Sequence, residues 1–85
     1  MDAADTVETV IEIIEEVLGE MPGELSPDDV LAARKWDSIA SLEALAQLEG
    51  RFGVNLDLRR FHAARTAAEM ADLVAEGLAV RTGGA

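Results

Sequence analysis

The chain contains no cysteine, which excludes disulfide bonds, a thiolate nucleophile and a zinc site built on cysteine. Basic residues are also few: 7 lysines and arginines stand against 17 aspartates and glutamates, and the net charge is −10. An acidic surface repels nucleic-acid phosphates and anionic membranes. No apolar run approaches the length of a membrane span. We therefore expect neither nucleic acid nor a membrane as a partner.

The length and the hydrophobic content of the chain indicate one small folded domain. The chain has 85 residues, of which 49% are hydrophobic, enough for a core that is held by apolar packing alone. We expect residues 1–80 to form this domain and residues 81–85 to be a flexible tail. The first residues are acidic where a signal peptide would be basic, so we expect a cytoplasmic protein. We also expect the protein to be a monomer.

Four segments show helical periodicity and none shows sustained strand alternation. The pattern predicts an all-α fold, a small four-helix bundle with three longer helices, one short helix and a long first loop. We predict the longer helices over 6–18, 38–52 and 67–79, and the long loop over 19–36. The short helix should turn its apolar residues inward, among them Leu58 and Phe61.

Several local expectations follow from this pattern. Glu15 falls off the apolar stripe of the first helix and is expected to be exposed. In the second long helix, Leu42 is expected to face the core, with Ile39 and Ala46 at the edge of that face. Before the last helix, Thr66 and Glu69 form a capping box, in which each side chain accepts a hydrogen bond from the other residue's backbone.

Catalytic groups are scarce. His62 is the only histidine, and a serine triad would need it beside a serine, whereas its setting is that of a surface residue. Adjacent carboxylates such as Asp28 and Asp29 point apart on a helix and match no calcium loop. The sequence also has no glycine loop that would cradle phosphates. We expect no intrinsic enzymatic activity and no metal site.

Ser38 has a position with chemical meaning, at the predicted start of a helix and next to Asp37. Backbone N–H groups at a helix start have no partner within the helix, and the helix dipole is positive there. A phosphoryl group attached to Ser38 would therefore be favoured. The alternative is that Ser38 only caps the helix, as serine often does.

The chain resembles the acyl carrier protein family, including its peptidyl carrier domains, over about residues 5–79. The tripeptide Asp37-Ser38-Ile39 is similar to the family's attachment motif, and its Trp36-Asp37-Ser38 form resembles stand-alone and aminoacyl carriers. The other residues that carry the resemblance are Leu31, Leu42, Leu45, Leu48-Glu49, Phe52-Gly53-Val54, Phe61, Thr66 and Met70.

The resemblance implies that Ser38 carries 4′-phosphopantetheine, with Asp37 as the other cofactor-binding residue. A phosphopantetheinyl transferase would add this group from coenzyme A. The thiol of this arm would hold an acyl or aminoacyl cargo as a thioester. Loading enzymes and downstream synthases or transferases would be the other partners, in polyketide, nonribosomal peptide or related secondary metabolism. Two alternatives remain: an acidic helical adaptor that binds a basic partner without a prosthetic group, and a small hydrolase that uses Ser38.

The partner surface is expected just after Ser38. We predict an apolar contact through Ile39 and Ala46, bordered by Glu43 and Gln47. The alternative is that Ile39 and Ala46 are ordinary residues at the edge of the core. Before the motif, Arg34 and Lys35 either contact the phosphate of the arm or are simply solvated.

Overall fold

A computed structural model describes residues 3–83 of the chain. All its regular elements are helices, which confirms the all-α prediction of three longer helices and one short helix with a long first loop. In chain order they are α1 (Ala3–Leu18), a short 3₁₀ helix (Leu31–Ala33), α2 (Ser38–Phe52), α3 (Leu58–Ala63) and α4 (Ala67–Gly83).

One apolar core joins these elements, with α1 packed against both α4 and α2. Phe61 of α3 is fully buried in it, as predicted, whereas Leu58 of the same helix is 48% exposed, which corrects the prediction that both face inward. The side chains with no exposed surface are Val10, Ile14, Ala44, Leu48, Phe61, Ala67, Met70 and Val74. These residues pack α2 against α1, α3 and α4, and this packing positions the whole of α2, including its first residue.

Glu15 departs from the sequence expectation. Its side chain is only 4% exposed, and its Oε2 accepts hydrogen bonds from the backbone N–H groups of Gly23, at 2.9 Å, and Leu25, at 3.0 Å. The first loop folds back over this side of α1, and helical periodicity cannot register such a cover. A carboxylate therefore fixes the first part of the loop to the helix before it.

Arg34 holds the later part of the same loop. Its guanidinium donates to Glu20 at 2.6 Å, to Asp29 at 3.0 Å and to the carbonyl oxygen of Glu24 at 3.2 Å. The hydrogen bond to Glu20 is the main cause that raises the pKa of Arg34, so the guanidinium stays charged. Arg34 therefore holds the loop together and is not simply solvated, whereas its contact with the phosphate of the arm stays a prediction.

Arg60 and Glu76 join α3 to α4 on the exposed surface through two hydrogen bonds, of 2.9 and 2.7 Å. The hydrogen bonds from Arg60 lower the pKa of Glu76. A carboxyl group with a lowered pKa in the folded state stabilises that state above its unfolded pKa and loses this contribution as the pH falls. The pair lies in solvent, so its effect on stability is small.

The ends of two helices differ from the sequence expectation. Helix α1 begins at Ala3 rather than Thr6, and α4 runs to Gly83 rather than Ala79. The flexible tail over 81–85 stays a prediction, and Gly84 and Ala85 lie outside the described residues.

The capping box of α4 is confirmed: Glu69 N–H donates to Thr66 Oγ1 at 3.2 Å, and Thr66 N–H donates to Glu69 Oε2 at 3.1 Å. Loss of such a cap lowers stability by about 1 kcal/mol. We expect Thr66→Ala to lower the free energy of unfolding by this amount in urea titrations followed by circular dichroism. Thr9→Ala, inside α1, is the control and should not lower it. An unchanged value for Thr66→Ala would contradict the role of the cap.

Candidate functional site

Ser38 is the first residue of α2, and its side chain is exposed. The N-cap is Asp37, whose Oδ1 accepts a hydrogen bond from Ala40 N–H at 2.8 Å. This contradicts the alternative in which Ser38 only caps the helix. The physical reason is that the carboxylate of Asp37 already accepts from the third residue of the helix, the place that a serine cap would take. The Ser38 hydroxyl is left at the surface, available for a reaction.

The backbone around Ser38 offers donors to an anion. Within the described chain, the N–H groups of Ser38 and Ile39 have no acceptor, as is general for the first residues of a helix. They lie at the positive end of the α2 dipole, which favours a nearby negative group by about 0.3–1 kcal/mol. Lys35 is exposed three residues before Ser38. A phosphodiester on Ser38 would lie next to the two backbone N–H groups at the helix start.

The predicted partner residues lie together on the outer face of α2. Ile39, Glu43, Ala46 and Gln47 are all exposed, and Ile39 is exposed by 67%. Leu42, expected in the core, is 49% exposed and extends this apolar surface. These placements correct the expectation that Ile39 and Ala46 border the core.

The reason for this shift is the side of α2 that is buried. The core face is formed by small residues, Ala40, Ser41 and Ala44, together with Leu48 and Phe52. Ile39 therefore points away from the core, although it is the more apolar side chain. Small residues next to large exposed ones mislead a search for a hydrophobic stripe.

The other polar residues that could carry chemistry do not share the position of Ser38 at the start of a helix. His62 is exposed on α3, and Ser41 is buried with no hydrogen-bond partner for its hydroxyl. Among residues 3–83, no cluster of histidine, aspartate or glutamate side chains is arranged to hold a metal ion. No helix within that range is long and apolar enough to cross a membrane.

Comparison with known families gives the context of this serine. A family model described as a phosphopantetheine attachment site matches residues 8–74. The chain belongs to this carrier protein family. The match includes the 3₁₀ helix and α2 in full, and thus the exposed Ser38 and its cap Asp37.

Curated relatives and solved structures agree with this assignment. The chain is 33% identical to a D-alanyl carrier protein of Streptococcus suis over an alignment of 57 residues. This alignment covers 67% of this chain and 72% of the relative. The same figures hold for the D-alanyl carrier protein of a second Streptococcus suis strain.

Solved structures show the same fold. A holo acyl carrier protein from Geobacter metallireducens has a TM-score of 0.77 at 20% identity, over 94% of this chain and 93% of that one. The acetyl actinorhodin acyl carrier protein from Streptomyces coelicolor has a TM-score of 0.73 at 28% identity, over 95% and 94%. An A1-type acyl carrier domain from module 5 of MLSA1 has a TM-score of 0.78 at 23% identity, over 89% and 77%.

Carrier proteins of this family hold 4′-phosphopantetheine covalently on a serine, and this chain fits that group. Ser38 offers an exposed hydroxyl, and the N–H groups of Ser38 and Ile39 offer donors for the phosphate. When bound, the group supplies a thiol, the chemical function that a chain without cysteine lacks. Sequence reasoning missed Asp37 as the cap and Glu15 as a loop anchor. An acidic residue directly before a helix was the available signal for Asp37, and none was available for Glu15.

Proposed function

We propose that Ser38 is the attachment residue and that the protein carries acyl or aminoacyl thioesters on its phosphopantetheine arm. The observation that carries this proposal is the exposed hydroxyl of Ser38 at the first residue of α2, freed from capping by Asp37. A transferase can approach this hydroxyl from solvent. The donors of the helix start then hold the phosphate of the product.

The protein itself performs no chemistry in this proposal. It raises the effective concentration of its cargo at each partner's active site, since the tether turns an encounter in solution into an intramolecular one. Its partners are a phosphopantetheinyl transferase, a loading enzyme, and the synthases or transferases that consume the thioester. The cytoplasmic location and the monomeric state expected from the sequence stay predictions.

Two kinds of cargo are supported. The D-alanyl carrier proteins similar to this chain favour an aminoacyl cargo, and the acetyl actinorhodin acyl carrier protein favours an acyl cargo. We propose a role in polyketide, nonribosomal peptide or related secondary metabolism. The loading enzyme selects between the two.

Attachment is tested by intact mass. The purified protein is incubated with coenzyme A and a broad-specificity phosphopantetheinyl transferase, and its mass is measured before and after. We expect a gain of one phosphopantetheine, on the peptide that contains Ser38. A folded protein that gains no mass with several competent transferases would contradict the proposal and would favour the helical adaptor.

We also propose that partners dock on the outer face of α2, through Ile39 and Ala46 with Glu43 and Gln47 at the border. Exposed apolar side chains surrounded by polar ones are common anchors of protein interfaces. This surface begins one residue after Ser38, so a docked partner has the attached arm at its edge.

Ile39→Arg tests the docking surface. When an apolar side chain is a hot spot of an interface, its loss weakens the binding free energy by more than about 1.4 kcal/mol. A change of that size lowers the affinity tenfold. We expect kcat/KM of the transferase reaction to fall at least about tenfold, with the free energy of unfolding unchanged. The matched control is Met21→Arg in the first loop, since Met21 is 68% exposed and Ile39 67%. Equal rates for the two variants would refute docking through Ile39.

A further inference from the structure

Lys35 is the only lysine of the chain, and all its other strongly basic residues are arginines. A guanidinium stays protonated in proteins and is no nucleophile, whereas the neutral amine of a lysine is one. The chain has no cysteine that could compete for an acyl group. Among the side chains, Lys35 is therefore the one that can take an acyl group from a thioester and hold it as a stable amide.

Lys35 lies close to the proposed attachment residue. It is exposed in the turn between the 3₁₀ helix and α2, three residues before Ser38. Three peptide units span at most about 11.4 Å between Cα atoms. An arm of the length of phosphopantetheine sweeps over the residues around its point of attachment, and Lys35 lies within that reach.

The backbone between the two residues is held on both sides. Before Lys35, the guanidinium of Arg34 donates to Glu20 at 2.6 Å. After it, Asp37 caps α2 by accepting a hydrogen bond from a backbone N–H group at 2.8 Å. The distance from Lys35 to Ser38 is thus set by the fold, and a fixed short distance raises the effective concentration of two tethered groups.

The side chain of Lys35 is free to react. It has no ion-pair partner within residues 3–83, whereas Arg34 and Arg60 both pair with glutamates. The amine therefore breaks no ion pair before it meets an electrophile. With Leu18 and Ala33, Lys35 lines a surface depression of about 590 Å³, so a small acyl group has room beside it.

We propose that Lys35 accepts the acyl group of the carrier's own thioester, an inference that rests on the proposed attachment at Ser38. The neutral amine attacks the carbonyl carbon, the carbon–sulfur bond breaks and an amide forms. The sulfur leaves with the bonding electron pair as a thiolate, and it takes up the proton that the amine nitrogen loses. The arm recovers its free thiol, and the acyl group on Lys35 is out of reach of thiol exchange.

This transfer gives the loaded carrier a limited lifetime. A docked partner takes the cargo from the thiol, whereas a carrier that stays loaded without a partner passes the cargo to Lys35. Acylation removes the positive charge of a lysine. A carrier that has waited too long is thus marked by the loss of an ammonium group three residues before its attachment site.

The test starts from a carrier loaded in one step. Acetyl coenzyme A and a broad-specificity phosphopantetheinyl transferase place an acetyl-phosphopantetheine group on the protein, which is purified and incubated alone in mildly alkaline buffer. Samples are treated with hydroxylamine, which cleaves thioesters and leaves amides, and their intact mass is measured. We expect a hydroxylamine-resistant gain of one acetyl group that grows with time. Peptide mapping should place it on Lys35 and not on the N-terminal amine.

Two variants give the controls. Lys35→Arg keeps the positive charge and removes the nucleophile, so no side chain should become acetylated. Lys35→Arg combined with Arg51→Lys preserves the composition and moves the amine to an exposed position near the end of α2, about 20 Å along the helix from Ser38. We expect acetyl transfer in this double variant to be at least about tenfold slower than in the native protein, because the tether rarely places the thioester there.

The outcomes separate this inference from the proposed function. Normal loading without resistant acetylation of Lys35, or equal rates in the native protein and the double variant, would overturn acyl transfer alone. Absence of any mass gain with acetyl coenzyme A would overturn the attachment as well. A mixture of the loaded protein with ¹⁵N-labelled Ser38→Ala protein completes the test. Equal acetylation of the labelled chain would overturn transfer within one molecule.

Discussion

Ser38→Ala is expected to abolish phosphopantetheine attachment completely. The transferase needs an oxygen nucleophile at the start of α2, and alanine removes it while it preserves the helix. The cap of α2 belongs to Asp37, so the free energy of unfolding should change by less than about 0.5 kcal/mol. The measurement is intact mass after incubation with coenzyme A and the transferase, paired with a urea titration.

Two other serines provide matched controls. Ser26→Ala removes an exposed hydroxyl in the first loop, and Ser41→Ala removes a buried one in α2, three residues after Ser38. Both variants should gain the full mass. Because the hydroxyl of Ser41 has no partner, its removal should be neutral or slightly stabilising. A mass gain in Ser38→Ala, or its loss in either control, would assign attachment to another residue.

Glu15→Ala is expected to cause the largest loss of stability among the polar substitutions. The carboxylate accepts from Gly23 N–H and Leu25 N–H, and Leu25 is only 4% exposed, so water replaces the lost hydrogen bond poorly. Hydrogen bonds to a charged group contribute about 1.5–3 kcal/mol. We expect the free energy of unfolding to fall by about 2–3 kcal/mol, a large part of the stability of a domain of this size.

Glu16→Ala is the matched control, because Glu16 is the neighbouring glutamate on α1 and is exposed. It should change the free energy of unfolding by less than about 0.5 kcal/mol. Hydrogen exchange adds a local measurement, in which Glu15→Ala should speed exchange at Leu25 N–H. Equal stability of the two variants would show that the loop is held by other contacts.

The sequence predicts most of the fold because the fold depends on apolar periodicity. The four helices, the burial of Phe61 and the capping box at Thr66 are all visible in local pattern. The failures have a common cause. Whether Glu15 and Leu42 are buried depends on whether another segment covers their side of the helix, and this is decided by tertiary packing.

The site was predictable to a different degree. Ser38 could be singled out from its position and from the resemblance of its surroundings to carrier proteins. The sequence could not predict that Asp37, and not Ser38, is the N-cap. Both are good N-cap residues, and only the backbone conformation decides between them.

The orientation of α2 has an evolutionary consequence. Its core face is formed by Ala40, Ser41, Ala44, Leu48 and Phe52, whereas Ile39, Glu43 and Gln47 are exposed. A substitution at one of these three exposed residues therefore leaves the packed interior untouched. Such changes have little effect on stability. On the proposed docking face, substitutions can therefore change which partner enzymes bind, while selection for a stable fold acts on the opposite side of the same helix.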